Sequence, residues 1–267
     1  MALEIKINGN SYQADKGEYV LEVCRRNRIL VPTLCHHDSL SGLGACRLCV
    51  VEVNEGNGNK VVISCVYPLS KDCEVFTESE KIKGIRKTIL SMLKTRAPEG
   101  DRLASLCRMY GVEEDRRFTV PKSREGSSAQ IQLASACILC GLCTQACAAL
   151  GTGAISTVGR GVVKKVSTAY GEPPEDCVGC GSCAAVCPTK AIKCRETKKI
   201  RYIWGREFDL LSCQSCGRFF ATGEEYAFAL KKAAQDTGPL ADAPPLCDTC
   251  RRKKSADVLA ATFGVRT

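Results

Sequence analysis

The sequence predicts an α+β protein made of several small modules instead of one domain with a single large core. Three observations predict this class. Twenty cysteines occur in 267 residues, most of them in pairs separated by two residues, and metal sites built from such pairs replace apolar core in small modules. Short segments that alternate apolar and polar residues, typical of strands, occupy the first 77 residues. An amphipathic segment typical of a helix follows at residues 79–96.

Residues 1–78 are predicted to form the first module. The dipeptide Asn8-Gly9 is typical of a hairpin turn and separates two alternating segments. A helical pattern over residues 18–28 ends before Pro32, which lacks a backbone donor. The predicted strands are residues 3–7, 11–14, 47–53, 61–66 and 73–77.

Four cysteines of this module, spaced C-x10-C-x2-C-x15-C, form a candidate metal site. Gly42 and Gly44 in the first interval are small enough to let backbone amides approach a cluster. A hairpin, a helix, a glycine-rich cysteine loop and mixed strands together resemble a plant-type [2Fe–2S] ferredoxin with its β-grasp fold. A four-cysteine zinc site is the alternative, although such sites usually pair two C-x2-C knuckles. The resemblance implies one [2Fe–2S] cluster on Cys35, Cys46, Cys49 and Cys65.

The spacing departs from the C-x4-C-x2-C run of the soluble plant proteins. It resembles the longer C-x10-C-x2-C spacing in the N-terminal part of three kinds of protein. These are the large iron–sulfur subunit of complex I, the iron-only hydrogenases, and the small diaphorase subunit of NAD-reducing hydrogenases. The segments VPTLCHH at residues 31–37 and GACRLCVVEV at residues 44–53 carry this resemblance. His36 and His37 suggest a Rieske site, but four cysteines are already present. One histidine is therefore expected at the surface or hydrogen-bonded near the cluster.

Residues 79–130 are predicted to be a helical spacer. The first helix, residues 79–96, should bury an apolar stripe and expose its lysines and arginines. Pro98 and Gly100 end it, and Asp101 is expected to cap a second helix that Gly111 terminates. The predicted stripe consists of Ile82, Ile85, Ile89, Met92 and Leu93.

The spacer lacks a feature of the family it resembles. Those subunits carry a further [4Fe–4S] cluster here, held by one histidine and three cysteines. Between residues 76 and 130 this sequence has no histidine and one cysteine, Cys107. We therefore expect that cluster to be absent and Cys107 to be a core residue.

Residues 131–196 contain the spacing C-x2-C-x2-C-x3-C twice, and the second copy ends in Cys187-Pro188. In bacterial ferredoxins with this spacing, the first three cysteines of each copy bind one cluster, and the fourth cysteine binds the other cluster. Disulfides or scattered core thiols are the alternative. A short hairpin is expected within residues 156–176, and Cys194 is expected to be structural. The two predicted [4Fe–4S] ligand sets are Cys137, Cys140, Cys143 and Cys187, and Cys147, Cys177, Cys180 and Cys183.

Residues 197–267 carry two further C-x2-C pairs, 30 residues apart. Two such knuckles predict a zinc-ribbon-like module with one Zn²⁺ on Cys213, Cys216, Cys247 and Cys250, and a further iron–sulfur cluster is the alternative. Strands at residues 200–208 and 219–220 and a helix at residues 224–234 are expected. The basic run at residues 251–254 is expected to be a solvated surface or a contact for an acidic partner.

Composition argues against several classes of function. The start of the sequence lacks a signal-peptide pattern, and no apolar run approaches eighteen residues, so a cytoplasmic protein without a membrane span is expected. The formal charge is +9. Four loaded four-thiolate sites contribute roughly −2 each, which leaves about +1. A nucleic-acid partner is therefore not expected.

No phosphate-binding loop, nucleophile elbow or nickel–iron ligand pattern is found. The resemblance, which covers about residues 1–195, implies an electron-transfer subunit without an active site of its own. It implies as partners a flavin- and NAD(P)-binding subunit, a thioredoxin-like [2Fe–2S] subunit and a catalytic hydrogenase, with formate dehydrogenase as the second candidate. Ferredoxin is a further donor or acceptor by the same resemblance, and electron bifurcation is left open. Two different classes of protein also stay open, a free-standing polyferredoxin and a nucleic-acid-binding regulator.

Overall fold

The computed structural model describes residues 2–112, 118, 136–237 and 244–264. The end of the predicted spacer, apart from Phe118, therefore lies outside the described residues. Within them, no helix combines the length and the hydrophobicity needed to cross a membrane.

The N-terminal module is a five-stranded mixed sheet packed against one helix, α1 (Val20–Arg26). The sheet order is β2-β1-β5-β3-β4, with β1 and β5 parallel and the other pairs antiparallel. Helix α1 is shorter than predicted because Asn27 caps it and Arg28 adopts a left-handed conformation before Pro32 is reached. All five predicted strands are present: β1 (Ala2–Ile7), β2 (Asn10–Asp15), β3 (Val50–Asn54), β4 (Asn59–Ile63) and β5 (Cys73–Phe76).

Helix α2 (Glu80–Arg96) begins at Ser79, whose hydroxyl accepts the Ile82 amide hydrogen. The predicted apolar stripe is wrong in part, because Met92 is 50% exposed whereas Arg86 is fully buried. The reason is that α2 covers β3, which is buried on both faces. Backbone carbonyls there need a donor, and Arg86 supplies it.

Helix α3 (Asp101–Met109) follows, and its N-cap is Gly100, not Asp101 as predicted. Cys107 on this helix is buried against Leu90, which agrees with the predicted core role.

The two-cluster module is built from two short helices and a hairpin. Helices α4 (Leu142–Leu150) and α5 (Ser182–Ala185) each follow a glycine in the left-handed conformation. Strands β6 (Ser156–Val158) and β7 (Lys165–Ser167) form the hairpin expected within residues 156–176.

The C-terminal region forms a four-stranded antiparallel sheet with the order β11-β10-β9-β8. Its strands are β8 (Cys194–Glu196), β9 (Ile200–Ile203), β10 (Arg206–Ser212) and β11 (Phe219–Thr222). Strand β8 lies before the predicted module boundary at residue 197, so this sheet includes the end of the two-cluster segment. Cys194 opens β8 opposite Ile203.

Two helices complete the C-terminal region. Helix α6 (Gly223–Thr237) includes the predicted helix at residues 224–234. The second cysteine pair lies at the start of α7 (Asp248–Phe263) instead of on a ribbon strand. The basic run at residues 251–254 belongs to the same helix, where it is exposed.

Three apolar clusters join these parts. One lies between the N-terminal sheet and α1. The second combines residues of the cysteine loop before β3, of α2 and α3, and of the segment before α4. The third includes residues of both halves of the two-cluster module together with Ile203, Trp204 and Phe208. The cysteine-bearing loops therefore share cores instead of lying in separate globules.

Candidate metal centres

The four cysteines of the N-terminal module all lie buried at one end of its sheet. Cys35 and Cys46 belong to the loop between α1 and β3, Cys49 directly precedes β3, and Cys65 lies in a 3₁₀ turn after β4. The Cys46 amide donates to Cys35 Sγ (3.2 Å). The Leu34 amide donates to Cys46 Sγ (3.5 Å).

Hydrogen bonds sort these thiols into two pairs. The bond with the Cys35 thiol lowers the pKa of Cys46 to about 6. The bond with the Cys65 thiol lowers the pKa of Cys49 to about 7. The same two bonds raise the pKa of Cys35 and of Cys65. Backbone donors and a readily lost proton in each pair fit thiolate ligands of a cluster.

Gly42 is required by the packing of this loop. A Cβ at Gly42 would lie 3.0 Å from the Cys65 carbonyl oxygen, so no side chain fits without displacing backbone. This glycine brings the long loop against the turn that carries the fourth cysteine.

The eight cysteines of the two-cluster module line two cavities. The first is lined by Cys137, Cys140, Cys143 and Cys187. The second is lined by Cys147, Cys177, Cys180 and Cys183. Each cavity thus combines three cysteines of one motif copy with the fourth of the other, as the predicted ligand sets do.

The two loops have the same backbone conformation. Leu139 and Gly179 occupy equivalent positions with φ of 56° and 68°, and Gly141 and Gly181 have φ of 81° and 73°. The internal repeat in the sequence is therefore also a structural repeat. Burial raises the pKa of Cys143 and of Cys183 to about 12. A bound metal must therefore displace a proton from each.

The C-terminal cysteines converge on one point. The sulfur atoms of Cys213, Cys216, Cys247 and Cys250 all lie within 4.8 Å of one another. Cys216 Sγ and Cys247 Sγ are 3.8 Å apart. A tetrahedral zinc ion with bonds of about 2.3 Å would space its sulfurs by about 3.8 Å. A cube of four irons holds its thiolates beyond its corners and hence further apart, so the geometry fits a single ion.

Backbone amides also prepare this site for negative charge. The Cys247 amide is the main reason why the pKa of Cys213 is lowered to about 6. The Cys250 amide lowers the pKa of Cys247. Amides directed at sulfur favour the thiolates that a zinc ion requires.

Sequence reasoning missed the contacts between the C-terminal sheet and the loop of the second cavity. Trp204 lines that cavity, and Phe208 packs directly on Gly179. These residues are more than twenty positions from the cysteines they approach, so no local pattern predicts the contact. The one available signal was that Trp204 is the only tryptophan in the chain.

Comparison with known proteins supports a 2Fe-2S domain followed by a 4Fe-4S dicluster domain. Residues 1–80 match the family described as a 2Fe-2S iron-sulfur cluster binding domain. Residues 136–191 match the 4Fe-4S dicluster domain. One relative is the NADP-reducing hydrogenase subunit HndD of Solidesulfovibrio fructosivorans. The two chains are 32% identical over 222 residues, which are 76% of this chain and 37% of that protein.

A second relative is the NADH-ubiquinone oxidoreductase 75 kDa subunit of Reclinomonas americana. It is 28% identical over 227 residues, which are 80% of this chain and 32% of that protein. The chain resembles the iron–sulfur subunits of NAD(P)-linked hydrogenases and of complex I. It spans about a third of the length of these two relatives.

A solved structure supports the same resemblance. It is the crystal structure of an NAD⁺-reducing [NiFe]-hydrogenase in the H₂-reduced state. One of its chains superposes with a TM-score of 0.60 at 26% sequence identity, covering 71% of this chain and 86% of that one.

Proposed function

We propose that this chain is an electron-transfer subunit, without an active site of its own, of an NAD(P)-linked multisubunit oxidoreductase. The observation that carries the proposal is that three groups of cysteines follow one another through shared cores. Cys35 and Cys46 of the first group share an apolar cluster with Cys140 of the second. Cys143 of the second group shares a cluster with Cys183 of the third.

The contact between the first two groups is direct. The Leu43 side chain lies so close to Gly141 that a Cβ there would be 2.7 Å from its terminal methyl. Gln145 on α4 donates to the Ser41 carbonyl (3.1 Å). These contacts place the N-terminal cysteine loop against the start of α4, so the first two cysteine sites are neighbours.

The ligand sets proposed from the sequence fit this geometry. Cys35, Cys46, Cys49 and Cys65 would hold a [2Fe–2S] cluster, since their two thiol pairs suit two irons. The first cavity would hold one [4Fe–4S] cluster and the second cavity another. Such clusters carry single electrons, at potentials that the protein sets through charge, hydrogen bonds and burial. The proposed path runs from the N-terminal site through the first cavity to the second.

We assign zinc to the C-terminal tetrad because its sulfurs are spaced for one tetrahedral ion. The tetrad joins the end of β10 to the start of α7, whose residues are almost all exposed. The ion would therefore hold α7 to the sheet that covers the second cavity. Its proposed role is to close that end of the two-cluster module or to dock a partner.

The partners proposed are a flavin- and NAD(P)-binding subunit, a thioredoxin-like [2Fe–2S] subunit and a catalytic subunit. A hydrogenase is favoured as the catalytic subunit because one relative is named an NADP-reducing hydrogenase subunit and the solved structure is an NAD⁺-reducing hydrogenase. A formate dehydrogenase remains the second candidate, and ferredoxin and electron bifurcation belong to the same proposal. A reducing compartment such as the cytoplasm suits so many free thiols.

Purification of the native complex without oxygen, through a tag on this subunit, tests the proposal. Viologen reduction is measured with hydrogen and, separately, with formate, and the co-purifying chains are identified. Activity with hydrogen is expected, together with a flavoprotein among the partners. Activity with formate alone would transfer the role to a formate dehydrogenase. A lone chain with neither activity would contradict the proposal and favour a free-standing polyferredoxin.

A further inference from the structure

Trp204 is a buried indole whose N–H points at a cysteine of the second cavity. Its Nε1 donates to Cys183 Sγ at 3.3 Å, and the residue is 6% exposed. It is the first of the two turn residues, Trp204 and Gly205, between β9 and β10. Ile203 and Arg206, on either side of the turn, are paired across the two strands. The donor therefore comes from the C-terminal sheet, not from the cysteine motif.

The turn holds this side chain at a conformational cost. Trp204 has φ of 53° and Gly205 has φ of 73°, the pattern of a turn that favours Asn-Gly. A bulky residue at positive φ is strained by about 1–2 kcal/mol. Such strain persists where the surroundings fix the residue, and it is common at functional positions. The turn conformation does not account for a tryptophan at this position. The hydrogen bond from its indole to Cys183 does.

The C-terminal sheet also fixes the loop that carries Cys183. Arg201 donates to the Gly179 carbonyl (2.7 Å), and Arg206 donates to the Cys177 carbonyl (2.7 Å). The Thr222 hydroxyl donates to the Val178 carbonyl (2.5 Å). With three successive carbonyls bound, the distance between the indole and Cys183 is set by the fold.

We propose that Trp204 is a positioning residue that raises the reduction potential of the [4Fe–4S] cluster held by Cys147, Cys177, Cys180 and Cys183; this rests on the ligand sets of the proposed function. Reduction adds negative charge to a cluster and its thiolates. An N–H directed at a ligand sulfur stabilises that charge, so the reduced form is favoured. The guanidinium groups of Arg201 and Arg206 beside the same loop act in the same direction.

The first cavity also has a backbone donor to one of its sulfurs. There the Ala191 backbone amide donates to Cys187 Sγ at 3.2 Å, and this bond does not depend on which side chain occupies residue 191. At the second cavity the Gly179 backbone donates to Cys177, and the Thr152 hydroxyl lies 3.2 Å from Cys147 Sγ. The donor to Cys183, however, is the Trp204 side chain, and a substitution can remove it. A change at Trp204 should therefore affect one of the two [4Fe–4S] potentials and spare the other.

The test is an anaerobic redox titration of the loaded full chain, followed by electron paramagnetic resonance. Trp204→Phe keeps an aromatic ring and removes the N–H, so one [4Fe–4S] potential should shift to a more negative value with the iron content unchanged. Because Trp204 is the only tryptophan, growth on 5-fluorotryptophan alters this one donor without any substitution. Ring fluorination makes the N–H a stronger donor, so the same potential should shift to a more positive value.

Tyr202→Phe is the matched control, because it removes a hydroxyl from the half-buried face of the same strand. It should leave every potential unchanged. Unchanged potentials in both the Trp204→Phe chain and the fluorinated chain, with all clusters present, would overturn the inference alone. If the Trp204→Phe variant fails to bind iron, the potential measured for the fluorinated chain alone tests the inference. A wild-type chain that lacks the clusters would overturn the proposed function and this inference with it, and iron analysis separates the two cases.

Discussion

The guanidinium of Arg86 donates from Nε to the carbonyl of Leu48, at 3.2 Å, inside the protein. Leu48 lies between the cysteines Cys46 and Cys49 of the N-terminal site. The same guanidinium donates from Nη2 to the Val50 carbonyl (2.8 Å) and from Nη1 to Glu78 (2.5 Å). The helical spacer thus holds the cysteine loop in place through one fully buried cation.

Replacing Arg86 should destabilise the N-terminal site. Arg86→Met fills most of the volume but leaves two buried carbonyls without donors, at a cost of about 1–3 kcal/mol each. We expect the [2Fe–2S] absorbance to be lost at a lower temperature than in the wild type. Lys87→Met, which removes the adjacent exposed cation, is the control and should behave like the wild type. Equal thermal loss in both variants would contradict the role of Arg86.

Two glycines of the second loop should differ in their tolerance of a methyl group. Both have positive φ, but a Cβ at Gly179 would lie 2.6 Å from the Phe208 ring, whereas one at Gly181 would lie 3.8 Å from Cys194 Sγ. Gly179→Ala should therefore lower the iron content by up to about four atoms per chain. Gly181→Ala should retain iron, with the modest cost of a strained φ. Equal iron contents in the two variants would contradict the packing of Phe208 on this loop.

The crossed ligand sets make a specific prediction about pairs of variants. Cys147→Ser and Cys180→Ser should alter the same paramagnetic signal, although Cys147 belongs to the first motif copy and Cys180 to the second. Cys187→Ser and Cys140→Ser should alter the other signal. If Cys147→Ser instead grouped with Cys140→Ser, each motif copy would hold its own cluster, and the sorting of cysteines between the two cavities would be wrong.

The C-terminal tetrad should bind zinc independently of the clusters. A chain with Cys213→Ser and Cys216→Ser should lose its zinc, keep about ten irons and co-purify less of its partners. Cys194→Ser changes a half-buried cysteine outside every ligand set and should keep both metals. Loss of a paramagnetic signal in the double variant, with the zinc content unchanged, would contradict the assignment.

Much of this arrangement is predictable from the sequence because its determinants are local. Alternation and the Asn8-Gly9 turn predict the N-terminal strands, and cysteine spacing predicts which thiols come together. Helix α2 shows the limit, since period alone placed Arg86 on the solvent face. Its burial depends on the carbonyls of Leu48 and Val50, which are 38 and 36 positions away in the sequence.

The C-terminal sheet shows the same limit at a larger scale. The cysteine pattern placed a boundary at residue 197, but β8 pairs with β9 across it. The contacts of Trp204 and Phe208 with the second cavity are between elements that no local propensity connects. These contacts depend on how the C-terminal sheet packs against the two-cluster module. No local sequence pattern predicts that packing.

The proposed function requires this chain to carry one [2Fe–2S] cluster, two [4Fe–4S] clusters and one zinc ion. Iron, acid-labile sulfide and zinc per chain, measured after purification without oxygen, test that requirement. We expect about ten irons, about ten sulfides and one zinc. Roughly fourteen irons without zinc would mean that the C-terminal tetrad holds a cluster. About six irons would contradict the assignment of one of the two cavities, and about two irons would contradict the assignment of both.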